Sequence, residues 1–144
     1  MNLHIVTAAW VSLLSCACSG GTAETDSNTT FPREPLVALP SDSAALDFEI
    51  RTLPSQPPVI GASSVQMIIR DAASGAPVSG LELEVVPWMP AMGHGSAVKP
   101  TSNEPEPGTY ELTGVVMFMP GTWQLRTNVA GSITDHVVPT FQVR

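Results

Sequence analysis

Gly80-Leu81-Glu82-Leu83-Glu84-Val85-Val86 decides the fold class. Leu81, Leu83 and Val85 alternate with Glu82 and Glu84, a period of two that suits a half-buried strand. The same pattern lies upstream. Leu46, Phe48 and Ile50 alternate with Asp47, Glu49 and Arg51 and predict a strand over Ala45 to Thr52. Val65, Met67 and Ile69 mark another over Ser64 to Arg70. Pro54, Pro57 and Pro58 separate the two, since proline removes a ladder donor and stiffens the crossing. Asp71 to Pro77 reads as a turn.

Downstream, Ala97 to Thr101 is a candidate short edge strand and Ser102 to Gly108 a polar turn. Thr109 to Phe118 predicts a long strand with Tyr110, Leu112 and Val116 on one face. Thr122 to Val129 is expected as its hairpin partner across Pro120-Gly121, with Trp123, Leu125 and Thr127 on one face. Ile133 to Val143 closes the sheet, with a bulge or bend at Pro139. About seven strands at regular spacing, with no alternating helices, predict an all-β fold, a two-sheet antiparallel β-sandwich.

The chain's 144 residues suffice for one ordinary domain. Only 13% are charged, well below the usual quarter. Six cationic residues and a net charge of -7 leave no basic face, which excludes nucleic acid as a partner and permits a cation.

Ile5 to Leu14 is an apolar run too short to span a bilayer. Small residues follow it, as in an export signal, although no Lys or Arg precedes it. Residues 1–18 are therefore expected to be a signal peptide of the lipoprotein type. Leu13-Leu14-Ser15-Cys16 resembles a bacterial lipobox, with Cys16 as the lipidated residue and Cys18 as the alternative. Acyl chains on one cysteine would hold a soluble domain at a membrane. A Cys16–Cys18 disulfide is the competing reading, in a ring too tight to staple the domain. Residues 19–43 read as a flexible tether rich in Gly, Ser, Thr, Asn and Pro. The domain is expected over 44–144.

Within the domain, chemistry concentrates in Trp88-Met89-Pro90-Ala91-Met92-Gly93-His94-Gly95, expected as a loop, and in Met117-Phe118-Met119-Pro120. Thioethers and imidazole are soft to intermediate ligands that suit copper(I). Thioethers need no deprotonation and avoid the oxidation that cysteine meets outside the cytoplasm. Met89, Met92, His94, Met117 and Met119 are the candidate metal ligands, with His136 as a further imidazole. Packing is the competing account. Methionine is a flexible apolar filler, and Phe118 and Trp123 announce a core beside Met117 and Met119. His94, flanked by glycines, also reads as an exposed loop residue. No nucleophile-base pattern, phosphate loop or His-Glu-x-x-His motif is present, so no enzyme is expected.

Four pieces in order carry a resemblance: Gly75-x-Pro77-Val78-x-Gly80, Met89-Pro90-x-Met92-x-His94-Gly95, Pro107-Gly108-x-Tyr110 and Phe118-x-x-Gly121-x-Trp123-x-Leu125. Over Ser64 to Val129 the chain resembles the YtkA-like domain family. That resemblance implies an immunoglobulin-like β-sandwich, distantly similar to FixH-type proteins associated with cytochrome oxidase assembly. It implies an exported or membrane-tethered protein and raises the prospect of copper handling. Its methionine-histidine loop falls on Met89, Met92 and His94, while Gly121 and Trp123 are read as structural. FixH-type proteins differ in having a long transmembrane helix ahead of the domain.

Two functions are expected from this. The first is an envelope-located, lipid-anchored protein that binds copper(I), periplasmic or on the outer face of a bacterial membrane. The second is a non-catalytic interaction module that docks another envelope protein.

Overall fold

A computed structural model describes residues 30–144. Cys16, Cys18 and the expected signal segment lie outside the described residues. Ten strands and no helix occur among the described residues. They are β1 (Val37–Pro40), β2 (Leu46–Leu53), β3 (Gly61–Asp71), β4 (Glu82–Met89), β5 (His94–Gly95), β6 (Thr101–Glu106), β7 (Thr109–Met117), β8 (Gly121–Ala130), β9 (Asp135–Val137) and β10 (Thr140–Val143). One sheet runs β1-β2-β3-β7-β6. The other runs β10-β8-β4-β5, with β9 also pairing β8. The strands pair antiparallel throughout.

The alternating residues meet between the sheets. Phe48, Met67 and Leu112 face in from the first sheet, and Val85, Trp123 and Leu125 from the second, all buried in one core. Each large apolar side chain withdrawn from water contributes about 1.5–3 kcal/mol. The period-two pattern is thus itself the main source of stability. Tyr110 adds a polar tie: its hydroxyl donates to the Val78 carbonyl at 2.9 Å and accepts from the Leu81 N–H at 3.0 Å.

The β-sandwich is as expected, but it has more strands than the sequence announces. Part of the stretch read as tether is strand β1, where Val37 pairs with Ile50 and Pro40 with Asp47. Val37 and Leu39 pack on the core there, a signal too short to see against the surrounding prolines. The expected turn over Ser102 to Gly108 is mostly β6. Almost all of β6 is exposed, so it buries no face and shows no alternation. Pro139 does divide the last strand, into β9 and β10.

The expected hairpin between β7 and β8 does not form. These strands belong to different sheets, and residues 118–120 cross from one to the other. The expected face of β7 is also corrected. Ser63 pairs with Val115, but Val65 pairs with Leu112, so Thr113 and Gly114 together oppose Ser64. Gly114 takes φ +75°, which a glycine reaches without a Cβ clash. One extra residue turns every later side chain to the other face. Val115 and Met117 are therefore buried in place of Val116, and Phe118 is exposed.

Candidate functional site

The expected loop from Trp88 to Gly95 is a miniature hairpin. Strand β4 continues through Met89, and β5 returns against it with Met89 opposite His94 and Trp88 opposite Gly95. The turn between is tight. The N–H groups of Met92 and Gly93 both reach the Met89 carbonyl at 3.1 Å. Pro90 presets one φ and Gly93, at φ +67°, supplies the left-handed one. Gly95 has no room for a side chain: a Cβ there would fall 2.4 Å from the Pro87 carbonyl oxygen and 3.3 Å from the Trp88 ring.

Residues directly opposite in an antiparallel pair project to one face, with Cβ atoms about 4.5–5.5 Å apart. Met89 and His94 thus share a face. Met89 is buried and its methyl end reaches the start of β8, where a Cβ on Gly121 would lie 2.9 Å from Met89 Cε. The His94 ring is stacked on Phe118, centroids 5.6 Å apart and planes 6° apart. Phe118 in turn meets Trp123 edge-on at 5.3 Å, and Trp123 Nε1 donates to the Met119 carbonyl at 2.9 Å.

The two methionine-bearing segments therefore lie at one pole of the sandwich. Met89 and His94 are paired across the hairpin, Met92 lies on the turn between them, and Met119 follows the Phe118 ring that stacks on His94. Met92 is 54% exposed at the turn tip, and Met119 is half-buried against the core. Met117 does not join them. The bulge at Gly114 turns it fully into the core, where it packs as an ordinary apolar side chain. Met67 is likewise core. His136 lies elsewhere, with its Nδ1 3.0 Å from Asp42 Oδ2. Sequence reasoning missed Phe118 as the side chain that bridges the two segments. Its apolar character was visible, but its outward direction depends on the bulge.

Charge is segregated along the molecule. Arg51 and Arg70, Glu84 and Lys99, and Glu111 and Arg126 bracket three stretches, 52–69, 85–98 and 112–125, that contain no charged residue. All three contribute to the methionine pole. Two carboxylates at the opposite pole are held by hydrogen bonds. Glu104 accepts from the N–H groups of Gly80 and Gly108, which hold its pKa below the usual range. Burial alone would raise the Asp135 carboxyl, but hydrogen bonds from Ser41, Ser43 and the His136 backbone outweigh it and lower its pKa to about 2. No group of three His, Cys, Asp or Glu suited to a metal occurs among the described residues. Outside the pole, Arg126 lies over the Trp88 ring at 4.3 Å on the outer face of the second sheet.

The fold and this pole define a small antiparallel sandwich with a hairpin of soft donors at one end. The chain belongs to the YtkA-like family, whose model matches residues 42–128. No curated protein matches it. Among solved structures it is similar to a DUF4426 family protein from Pseudomonas aeruginosa PAO1, with a TM-score of 0.51 and 11% identity. That match covers 74% of this chain and 94% of the other, and it bears on the fold alone. The ZirS C-terminal domain aligns with a TM-score of 0.39 and 12% identity, over 97% of this chain and 87% of the other.

Proposed function

We propose that this chain is an exported, lipid-anchored envelope protein that binds copper(I) at the methionine pole and buffers it or hands it on. Met89, Met92, His94 and Met119 are the donors, and Cys16 is the lipidated residue. The observation that carries this reading is the cross-strand pair of Met89 and His94, which puts a thioether and an imidazole on one face.

The donor set supports a soft ion. Thioether and imidazole favour copper(I), whereas calcium and magnesium require several oxygen ligands. The neighbouring stretches carry no carboxylate to supply them. Exposed Met92 can swing onto an ion or release it, and neutral thioethers permit exchange without proton transfer. The role is non-catalytic.

Copper(I) titration against a competing chelator tests the proposal. His94→Ala and Met92→Leu should weaken binding, while Met117→Leu and His136→Ala should leave it unchanged. Absence of binding at micromolar copper(I) would overturn the reading and leave the interaction module in its place.

A further inference from the structure

The β4–β5 hairpin belongs to the second sheet, whereas Met117 ends β7 of the first. One aromatic contact joins the two segments. His94 stands on the two-residue strand β5, where its pairing with Met89 fixes the backbone and leaves the ring exposed. An imidazole that ligates a metal is ordinarily oriented by a hydrogen bond at its second nitrogen. The His136 ring has such a partner in Asp42. Among the described residues no hydrogen bond reaches the His94 ring. The Phe118 face holds it instead, with centroids 5.6 Å apart and planes 6° apart.

Phe118 is supported in its turn. Its ring meets Trp123 edge-on at 5.3 Å, and Trp123 is fully buried. Trp123 Nε1 also donates to the Met119 carbonyl at 2.9 Å. One fixed indole therefore backs the stacking partner of His94 and anchors the backbone of the next thioether donor. Stacking occupies a face of the imidazole, whereas a metal binds in the ring plane. The contact thus leaves both nitrogens of His94 open.

We propose that Phe118 is a positioning residue of the copper site, which holds the His94 imidazole in its ligating orientation before copper(I) binds. The inference rests on the copper reading above. Without the stack, an exposed histidine explores its rotamers and loses that freedom when it ligates. Phe118 removes the ordering cost in advance, as preorganisation does elsewhere. It supplies no donor atom. Its outward direction follows from the bulge beside Gly114. The register shift that buries Met117 therefore also delivers the ring that orients His94.

The test is a double-mutant cycle on the full chain, read by copper(I) titration against a competing chelator. Phe118→Leu keeps an apolar side chain without a ring. It should weaken binding by roughly threefold to tenfold, the effect of ordering one side chain. Phe118→Tyr keeps the ring and should bind as the parent does. In a His94→Ala background, Phe118→Leu should cause no further loss, whereas a merely structural role would weaken binding in both backgrounds alike. In the copper-free parent, nuclear Overhauser contacts should join the two rings. That measurement uses the unsubstituted chain, so it stands even where Phe118→Leu fails to fold. The inference is overturned by parent-like binding of Phe118→Leu, by a tyrosine variant as weak as the leucine one, by an undiminished loss in the His94→Ala background, or by missing ring-to-ring contacts. If the parent binds no copper(I), the copper reading fails and this role with it. If the parent binds and the cycle shows no coupling, only this role fails.

Discussion

Met89 and His94 stand opposite one another across the last pair of the β4–β5 hairpin, five residues apart in the chain. The pairing gives each of them a fixed neighbour. Met89 anchors the hairpin in the core, and His94 reaches across to the other sheet through Phe118. A buried thioether and a rim imidazole then flank the turn that carries the exposed thioether of Met92.

Donor substitutions should separate metal binding from packing. His94→Ala should weaken copper(I) binding by about tenfold or more, which corresponds to about 1.4 kcal/mol. It should change thermal stability little, because the ring is exposed. Met117→Ala should do the reverse. It leaves a cavity in a fully buried site and should cost about 2–5 kcal/mol of stability. Paired chelator titrations and thermal melts check both.

The bulge at Gly114 makes a graded expectation. Its φ of +75° costs an L-residue about 1–2 kcal/mol. Space is not the obstacle, since an added Cβ would come no nearer than 3.8 Å, to Val98. Gly114→Ala should therefore lower the melting temperature by several degrees. Gly114→Asn should lower it less, because Asn tolerates that conformation better. Denaturant melts of the two variants against the parent measure the order.

Removing the Tyr110 hydroxyl strands two backbone partners, one buried and one part-buried. Tyr110→Phe deprives the Val78 carbonyl of a donor and the Leu81 N–H of an acceptor. A buried group left unsatisfied costs about 1–3 kcal/mol. Chemical denaturation should show a lower midpoint with an unchanged slope.

Asp135 ties the β1–β2 turn to β9. Its carboxylate accepts from Ser43 Oγ at 2.6 Å and from the Ser43 N–H at 3.2 Å. Its pKa is about 2 in the fold, below the ordinary aspartate value of 3.8. The depressed value means that its contribution is present above about pH 4 and is lost as pH falls toward 2. Asp135→Asn should destabilise by about 1 kcal/mol at neutral pH, the usual worth of such a hydrogen bond. The difference from the parent should shrink below pH 3. Melting curves across that range test the sign.

Much of the sandwich was legible along the chain. The alternation in Leu46 to Ile50, Val65 to Ile69 and Leu81 to Val85 locates β2, β3 and β4, because a strand with one buried face writes that period into its residues. Strand β6 left no such mark, since it lies at an edge and buries almost nothing. The donor residues were visible as types, but Met117 could not be told from Met119. Their directions depend on the register between β3 and β7, which no local pattern carries.

The sequence by itself determined an all-β domain, its turns and the two segments where soft donors gather, because side-chain chemistry and a period of two act locally. Tertiary structure alone decided that those segments share a pole. It also decided that Met89 faces His94, that Met117 is core and that Phe118 is outside. Those outcomes follow from strand order and from one bulged residue, and both are settled by which distant strands pair.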